Sequence, residues 1–170
     1  MKWIYIAILA FAPLARAGLP SQSVREDLKP EVHAYEIAAG LPALRPTMGF
    51  ELRVWQRSYM SGSVYGTVVS MRSLRTFNTS STYEHGKVII KPASLSAPVA
   101  VSNFRKLKKL TSELEPYNGL SVSCDIADGG SVLVQAVVNG QILTLGADNP
   151  NLCSGNESEI VVRLLHEIHS

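Results

Sequence analysis

Charged residues are scarce in this chain of 170 residues, where they make up 18% of the sequence instead of the quarter that is usual in soluble domains. Hydrophobic residues make up 46%, which is too large a share for a disordered chain. Collagen-like and heptad repeats are also missing, so fibrous and coiled-coil classes are excluded. The length and composition therefore predict one globular domain with its own hydrophobic core.

No hydrophobic run is long enough to span a membrane. The N-terminal run, residues 3–14, has twelve residues and is interrupted by Pro13, whereas a spanning helix needs about 20. It follows Lys2 and precedes the small-residue motif that ends at Ala17, which is typical of a secretory signal peptide. We expect cleavage after Ala17 and a soluble protein that is secreted or periplasmic. A buried N-terminal helix is the alternative.

The mature chain has no excess of either charge. Loss of Lys2 and Arg16 with the signal peptide leaves 14 basic and 14 acidic residues out of the original 16 and 14. The sequence therefore gives no support for a nucleic acid partner. It also has no phosphate-binding glycine loop and no dinucleotide fingerprint, so we expect no cofactor.

Cysteine occurs only twice, as Cys124 and Cys153. In an exported protein such a pair predicts a disulfide bond. Closing a loop of about 30 residues would contribute about 3 kcal/mol to stability in the chain-entropy account. A redox-active pair is disfavoured because the spacing is far from Cys-x-x-Cys.

The N-terminal part of the mature chain, residues 18–48, is rich in proline and predicts an extended or partly disordered arm. A short helix is expected within it, between Pro30 and Gly40. Residues 49–170 are predicted to form a single domain. Alternating hydrophobic residues predict four consecutive antiparallel strands there. They are expected from Phe50, at 64–71, at 74–83 and at 87–91.

The second half of the chain predicts a helix, three more strands and a last helix. Ser96 is the expected N-cap of the first helix, which should end near Glu115. A three-stranded meander is expected at 120–126, 131–138 and 141–145, with the middle strand at its centre and a hairpin turn at Asn139-Gly140. Asn156 is the expected cap of the C-terminal helix. The predicted class is α+β, an antiparallel sheet with its helices packed on one face.

Catalytic and metal-binding signals are weak. Ser131 follows two glycines, but turn formation explains that pattern without catalysis. His166 and His169 could share a zinc ion at the end of the last helix, although a helix dipole explains them better. Oxygen ligands expected at one end of the sheet are weak candidates for a calcium site, and ordinary turn composition is the alternative. They are Asp128, Asp148, Asn149 and Asn151.

The first strand carries the stronger recognition signal. Arg53, Trp55 and Arg57 alternate with the residues expected to face the core, so Trp55 should lie on the outer face between two arginines. Tyr59 and Tyr65 would extend this surface, and such residues dominate binding hot spots. Burial of Trp55 under a second layer, or its cover by arginine stems, is the alternative.

A basic run on the predicted first long helix offers another surface. It contains Arg105, Lys106, Lys108 and Lys109, and suits an anionic lipid or an acidic partner. A solvated helix face is the simpler explanation, because Glu113 follows Lys109 by one turn.

These signals together favour a non-enzymatic, exported domain that binds another protein, in the manner of an inhibitor, an immunity protein or an envelope accessory factor. One alternative is a small metal-dependent hydrolase that uses the Asp128 and Asp148 end of the sheet with His85 or His166. The other is a binder of a sugar or another small ligand, which would require a concave pocket.

Overall fold

A computed structural model of the chain describes residues 28–85, 87–123 and 129–170. This part of the chain contains three α-helices, which are α1 (Leu28–Ala38), α2 (Phe104–Glu113) and α3 (Asn156–His169). A short 3-10 turn, Glu115–Tyr117, follows α2. The strands are β1 (Glu51–Ser58), β2 (Ser63–Ser70), β3 (Ser73–Glu84), β4 (Lys87–Ile90), β5 (Val99–Ala100), β6 (Ser121–Val122), β7 (Gly130–Val138) and β8 (Gln141–Asp148).

The strands form one sheet in the order β4-β3-β2-β1-β7-β8-β6, and β5 pairs with the beginning of β3. All neighbours are antiparallel except β6 and β8, which are parallel. The predicted α+β class is confirmed. The first four strands lie side by side in chain order, close to their expected positions.

The order predicted for the last three strands is wrong. The sequence placed β7 between the strand at 120–126 and β8, but β7 lies between β1 and β8, and β6 pairs with the outer side of β8. Every residue of β7 from Val132 to Val138 is buried. A strand of this kind is stable in the middle of a large sheet, because full-length neighbours on both sides satisfy its backbone.

The helices cover both faces of the sheet, so the prediction that they pack on one face is wrong. One face carries Leu52, Val134 and Leu145, which pack against α2 and α3 in the larger hydrophobic cluster. The other face carries Trp55 and Leu133, which lie in a second cluster with residues of α1. The unbroken burial along β7 is the physical reason, since both of its faces must be removed from water.

Helix α1 confirms the short helix expected between Pro30 and Gly40. It ends before Gly40, whose φ of +63° is a backbone conformation suited to glycine. The helix packs on the sheet through Tyr35 and Ala38, which are buried. None of the helices in the described ranges has the length and apolar character that crossing a membrane requires.

Helix α2 begins seven residues later than expected, at Phe104, with Asn103 and not Ser96 at the cap position. The Ser96 hydroxyl accepts a hydrogen bond from the Thr76 backbone at 3.0 Å and therefore does not cap the helix. The residues after it include β5, which pairs with β3 and extends the sheet. Asn156 is likewise the first residue of α3, and Gly155 holds the cap position. Both errors arise because serine and asparagine side chains hydrogen-bond to backbone groups in several local structures, of which a helix cap is only one.

Candidate functional site

Trp55 lies in the interior, so the expectation that it faces outward is wrong and the alternative of a covering layer is right. Its side chain has no exposed surface. The Tyr35 ring of α1 stacks on it at 5.2 Å with an interplanar angle of 7°. Its indole Nε1 donates to Gln135 Oε1 at 3.0 Å, which satisfies the buried N–H. Trp55 therefore holds α1 on the sheet.

Arg53 is also fully buried and is surrounded by acceptors. Its Nε donates to Glu51 Oε1 at 2.7 Å, and its Nη1 donates to Glu36 Oε1 at 2.9 Å. Its Nη2 donates to the backbone oxygen of Pro42 at 2.8 Å. The guanidinium thus joins β1 to α1 and to the loop after it. A buried cation needs such partners, because desolvation of an unpaired charge is costly.

The other three predicted surface residues do not lie on one face of the sheet. Arg57 binds the Glu31 carboxylate at 3.2 Å and lies 5.1 Å from the centre of the Tyr59 ring. Tyr59 is partly exposed, and its hydroxyl donates to Asp148 Oδ1 at 2.6 Å. Burial and this hydrogen bond raise the pKa of the Tyr59 hydroxyl. Tyr65 is on the opposite face of the sheet, since β2 pairs it with Gln56.

A cavity of about 630 Å³ opens at the end of the sheet where β1 ends and β7 begins. We call it the end cavity. Among the described residues that line it, Arg57 alone is charged, and the Arg57 guanidinium is already paired with Glu31. The polar side chains of the lining are neutral hydrogen-bonding groups. They include Gln56, Ser63, Tyr65, Asn78, Ser131 and Asn151.

The apolar part of the end cavity comes from α3 and from the loop after β8. Leu165 of α3 and Leu152 of the loop line it, and Leu152 is 64% exposed. Met60 does not line the cavity, but it is 82% exposed in the turn between β1 and β2, which connects the cavity residues Ser58 and Ser63. The lining therefore combines neutral hydrogen-bonding groups with a larger apolar surface, and we call the exposed Leu152 and Met60 the rim.

Backbone geometry fixes one wall of the end cavity. Asn149 has a φ of +48°, which asparagine tolerates better than most residues. Its Oδ1 accepts from the Gly130 backbone N–H at 2.8 Å, and its own N–H donates to the Gly130 oxygen at 2.8 Å. A Cβ on Gly129 would lie 1.6 Å from Asn149 Oδ1, so this close approach requires glycine. These bonds hold the loop against the start of β7.

The candidate metal oxygens have other roles where the structure describes them. Asp148 accepts from Tyr59, and Asn149 accepts from Gly130. Asn151 is an exposed residue of the cavity lining, and Asp128 lies outside the described residues. The described ranges contain no group of three or more His, Cys, Asp or Glu residues placed to hold a metal ion.

The catalytic candidates are scattered. Ser131 is the cross-strand partner of Asp148 and lines the end cavity. His85 lies in the turn after β3, and His166 is near the end of α3 with an exposed ring. The His169 ring lies 5.8 Å from that of Tyr65, and its Nε2 is 3.5 Å from Gln56 Nε2. No described contact joins a histidine to Ser131 or Asp148.

One half of the predicted disulfide, Cys124, lies outside the described residues. Cys153 follows β8, and its Sγ lies 3.1 Å from the backbone oxygen of Asp148. The Cys124–Cys153 bond stays a prediction.

Sequence reasoning missed most of the end cavity. Its lining comes from β1, β2, β3, β7, α3 and the loop after β8. Single serines and asparagines such as Ser63 and Asn78 carry no distinctive signal in sequence. Five of its residues were named from sequence, but for separate and mostly different reasons, so the sequence did not bring them together in one site: they are Arg57, Tyr65, Ser131, Asn149 and Asn151.

No protein-family model matches the chain, and no curated protein matches it in sequence.

Proposed function

We propose that this protein is a non-enzymatic, exported binding domain that recognises another protein through the end cavity. In this proposal the signal peptide is cleaved after Ala17 during export, and the exported chain forms the Cys124–Cys153 disulfide bond. A neutral, hydrogen-bonding loop of the partner enters the cavity, and apolar side chains of the partner contact the rim. The observation that carries the proposal is the exposure of Met60 and Leu152 beside a cavity of about 630 Å³ that is lined by neutral hydrogen-bonding groups and apolar surface.

The chemistry of the cavity supports recognition by hydrogen bonding. Serine, asparagine and glutamine side chains both donate and accept, so they suit backbone groups and neutral side chains of a partner segment. Each such bond contributes about 1 kcal/mol when both groups are paired. The exposed rim residues supply apolar contact area, which protein interfaces combine with direct hydrogen bonds.

The volume of the cavity favours one alternative, the binding of a sugar or a similar small polar ligand. Pockets for small ligands commonly measure about 300–1,000 Å³, and the end cavity is within this range. The ring of Tyr65, which lines the cavity, is able to stack on a sugar face.

A photo-crosslinking experiment distinguishes these functions. The chain from Gly18 would carry a photoreactive residue at Leu152, or at Ile37 as the control. Ile37 is equally exposed at 64% but lies on α1. We expect one partner protein to cross-link at 152 and not at 37. Ser63→Trp, which fills the mouth of the cavity, should abolish this product.

Two results would contradict the protein-binding function. One is cross-linking of the same partner at both positions, or its persistence in Ser63→Trp. The other is a melting temperature that rises with a simple sugar in the original chain and not in Ser63→Trp, without any cross-linked protein. That second result establishes the small-ligand function instead.

A further inference from the structure

The turn between β2 and β3 lies at the opposite end of β2 from the end cavity. Its central residues, Met71 and Arg72, have φ values of +48° and +62°. Ser70 pairs with Ser73 across the turn, so it is a two-residue hairpin. Asparagine and glycine are usual at such positions, because other residues are strained there. The Met71 side chain is nevertheless 93% exposed. An apolar side chain is thus held in water on a strained backbone.

Cationic side chains surround this turn. Arg72, Arg105 and Lys106 line a second cavity of about 430 Å³. The Val101 backbone N–H donates to the Arg72 oxygen at 2.9 Å, which fixes the turn beside the segment that leads into α2. Arg72 and Arg105 are exposed and make no ion pair with any residue in the described ranges.

The acidic residues at this end are already engaged. Glu51, the cross-strand partner of Ser70, binds the buried Arg53 at 2.7 Å. Glu167 of α3 binds Lys106, whose side chain remains 61% exposed. The surface around the turn therefore keeps a positive charge, although the mature chain as a whole has as many acidic as basic residues.

A second apolar side chain lies beside the turn. Val99 of β5 is 62% exposed and pairs with Leu74, three residues after Met71. Exposed apolar side chains next to unpaired cations are typical of proteins that lie on anionic membranes. An acidic protein would account for the cations, but it would not account for a methionine held on a strained turn.

We propose that the end of the molecule formed by Met71, Arg72, Val99 and Arg105, the basic end, docks on the surface of an anionic lipid bilayer. Met71 and Val99 enter the interfacial layer, and the two arginines bind headgroup phosphates. The end cavity, at the other end of β2, then points away from the bilayer and remains open to a partner. The docking does not depend on the function proposed for that cavity.

Vesicle co-sedimentation of the chain from Gly18 tests the proposal. We expect binding to vesicles of phosphatidylcholine mixed with phosphatidylglycerol, little binding to phosphatidylcholine alone, and a decrease with added salt. Arg72→Glu with Arg105→Glu should weaken binding at least about 30-fold, since each cation near an anionic surface contributes about fivefold. Met71→Asn, which suits the turn and keeps the fold, should weaken it about tenfold.

The matched control is Lys91→Glu, compared with Arg72→Glu alone, because it makes the same change in charge at an exposed residue at the other end of the sheet, where its backbone N–H donates to the Ser80 oxygen. We expect it to bind within about threefold of the original chain, because screening limits the effect of distant charges. Circular dichroism checks that each variant folds.

Three outcomes would overturn the proposal. The first is equal binding to neutral and anionic vesicles. The second is an equal loss of binding in Lys91→Glu and in Arg72→Glu, which would show that net charge alone decides binding. The third is binding to polyglutamate as tight as to anionic vesicles and unchanged by Met71→Asn, which would identify an acidic polypeptide as the partner.

Discussion

Arg53 and Trp55 show that the alternation of residues in a strand predicts the face on which a side chain lies but not whether that face is exposed. Their alternation with Leu52 and Val54 correctly placed them on the second face of the sheet. The pattern did not tell whether that face meets water, because its cover comes from α1, in another part of the chain. Arginine and tryptophan are common both in binding surfaces and in buried contacts with satisfied donors. Their residue types therefore did not indicate whether Arg53 and Trp55 are exposed or buried.

Tyr35 is the residue whose chemistry is most changed by this burial. Its hydroxyl donates to Glu31 Oε1 at 2.8 Å, and its ring stacks on Trp55. Burial, and then the negative charge of Glu31, raise the pKa of this hydroxyl far above 10. In the unfolded chain the same group ionises near pH 10.

Tyr35 should therefore make the protein sensitive to alkali. Its pKa is raised in the folded state, so its contribution is complete below pH 10 and is lost as the unfolded chain ionises above it. At pH 7 we expect Tyr35→Phe to lower the free energy of unfolding by about 1 kcal/mol, through loss of the hydrogen bond. From pH 10 to 11 the original chain should lose about 1 kcal/mol more than the variant. Urea unfolding at each pH measures this, and an unchanged difference between the two chains would contradict it.

The two hairpin turns illustrate how far elements can be predicted. Asn139-Gly140 was expected from sequence and is confirmed, with φ values of +51° and +74°. Met71 and Arg72 adopt the same kind of turn without asparagine or glycine, so only the expected strands at 64–71 and 74–83 indicated that a turn lies between them, and no residue type marked its centre. Strand pairing on both sides imposes the turn at Met71, and tertiary structure overrides local preference.

Replacing Met71-Arg72 with Asn-Gly should stabilise the protein. Both new residues adopt positive φ more easily, and we expect the free energy of unfolding to rise by about 1 kcal/mol. Urea unfolding at neutral pH measures the change. Gly140→Arg is the reverse control and should be destabilising by a similar amount, since no atom lies within 4 Å of a Cβ added there and only the backbone is strained. A Met71-Arg72 replacement that lowers stability would show that the turn is not strained.

Across the whole molecule, sequence predicted the number of long strands better than their arrangement. Hydrophobic alternation reports on one strand at a time, whereas the position of β7 beside β1 depends on pairing between distant segments. The end cavity depends on the same arrangement, because it forms where β1, β2 and β7 meet α3. A site assembled from so many segments leaves no local pattern to detect.

We expect the arm assigned to residues 18–48 to be needed for a stable molecule, because its helix α1 covers one face of the sheet. Without it, Trp55 and Phe77 lose the cover of Tyr35, and the Arg53 guanidinium loses Glu36 and the Pro42 oxygen. We expect the chain 49–170 to be at least about 3 kcal/mol less stable to urea than the chain 18–170. Trp3 and Trp55 are the two tryptophans of the sequence, so Trp55 is the single fluorophore of this type in both chains. Its emission should shift to longer wavelength in 49–170 as it meets water. The same midpoint and the same emission in both chains would show that α1 does not hold this face of the sheet.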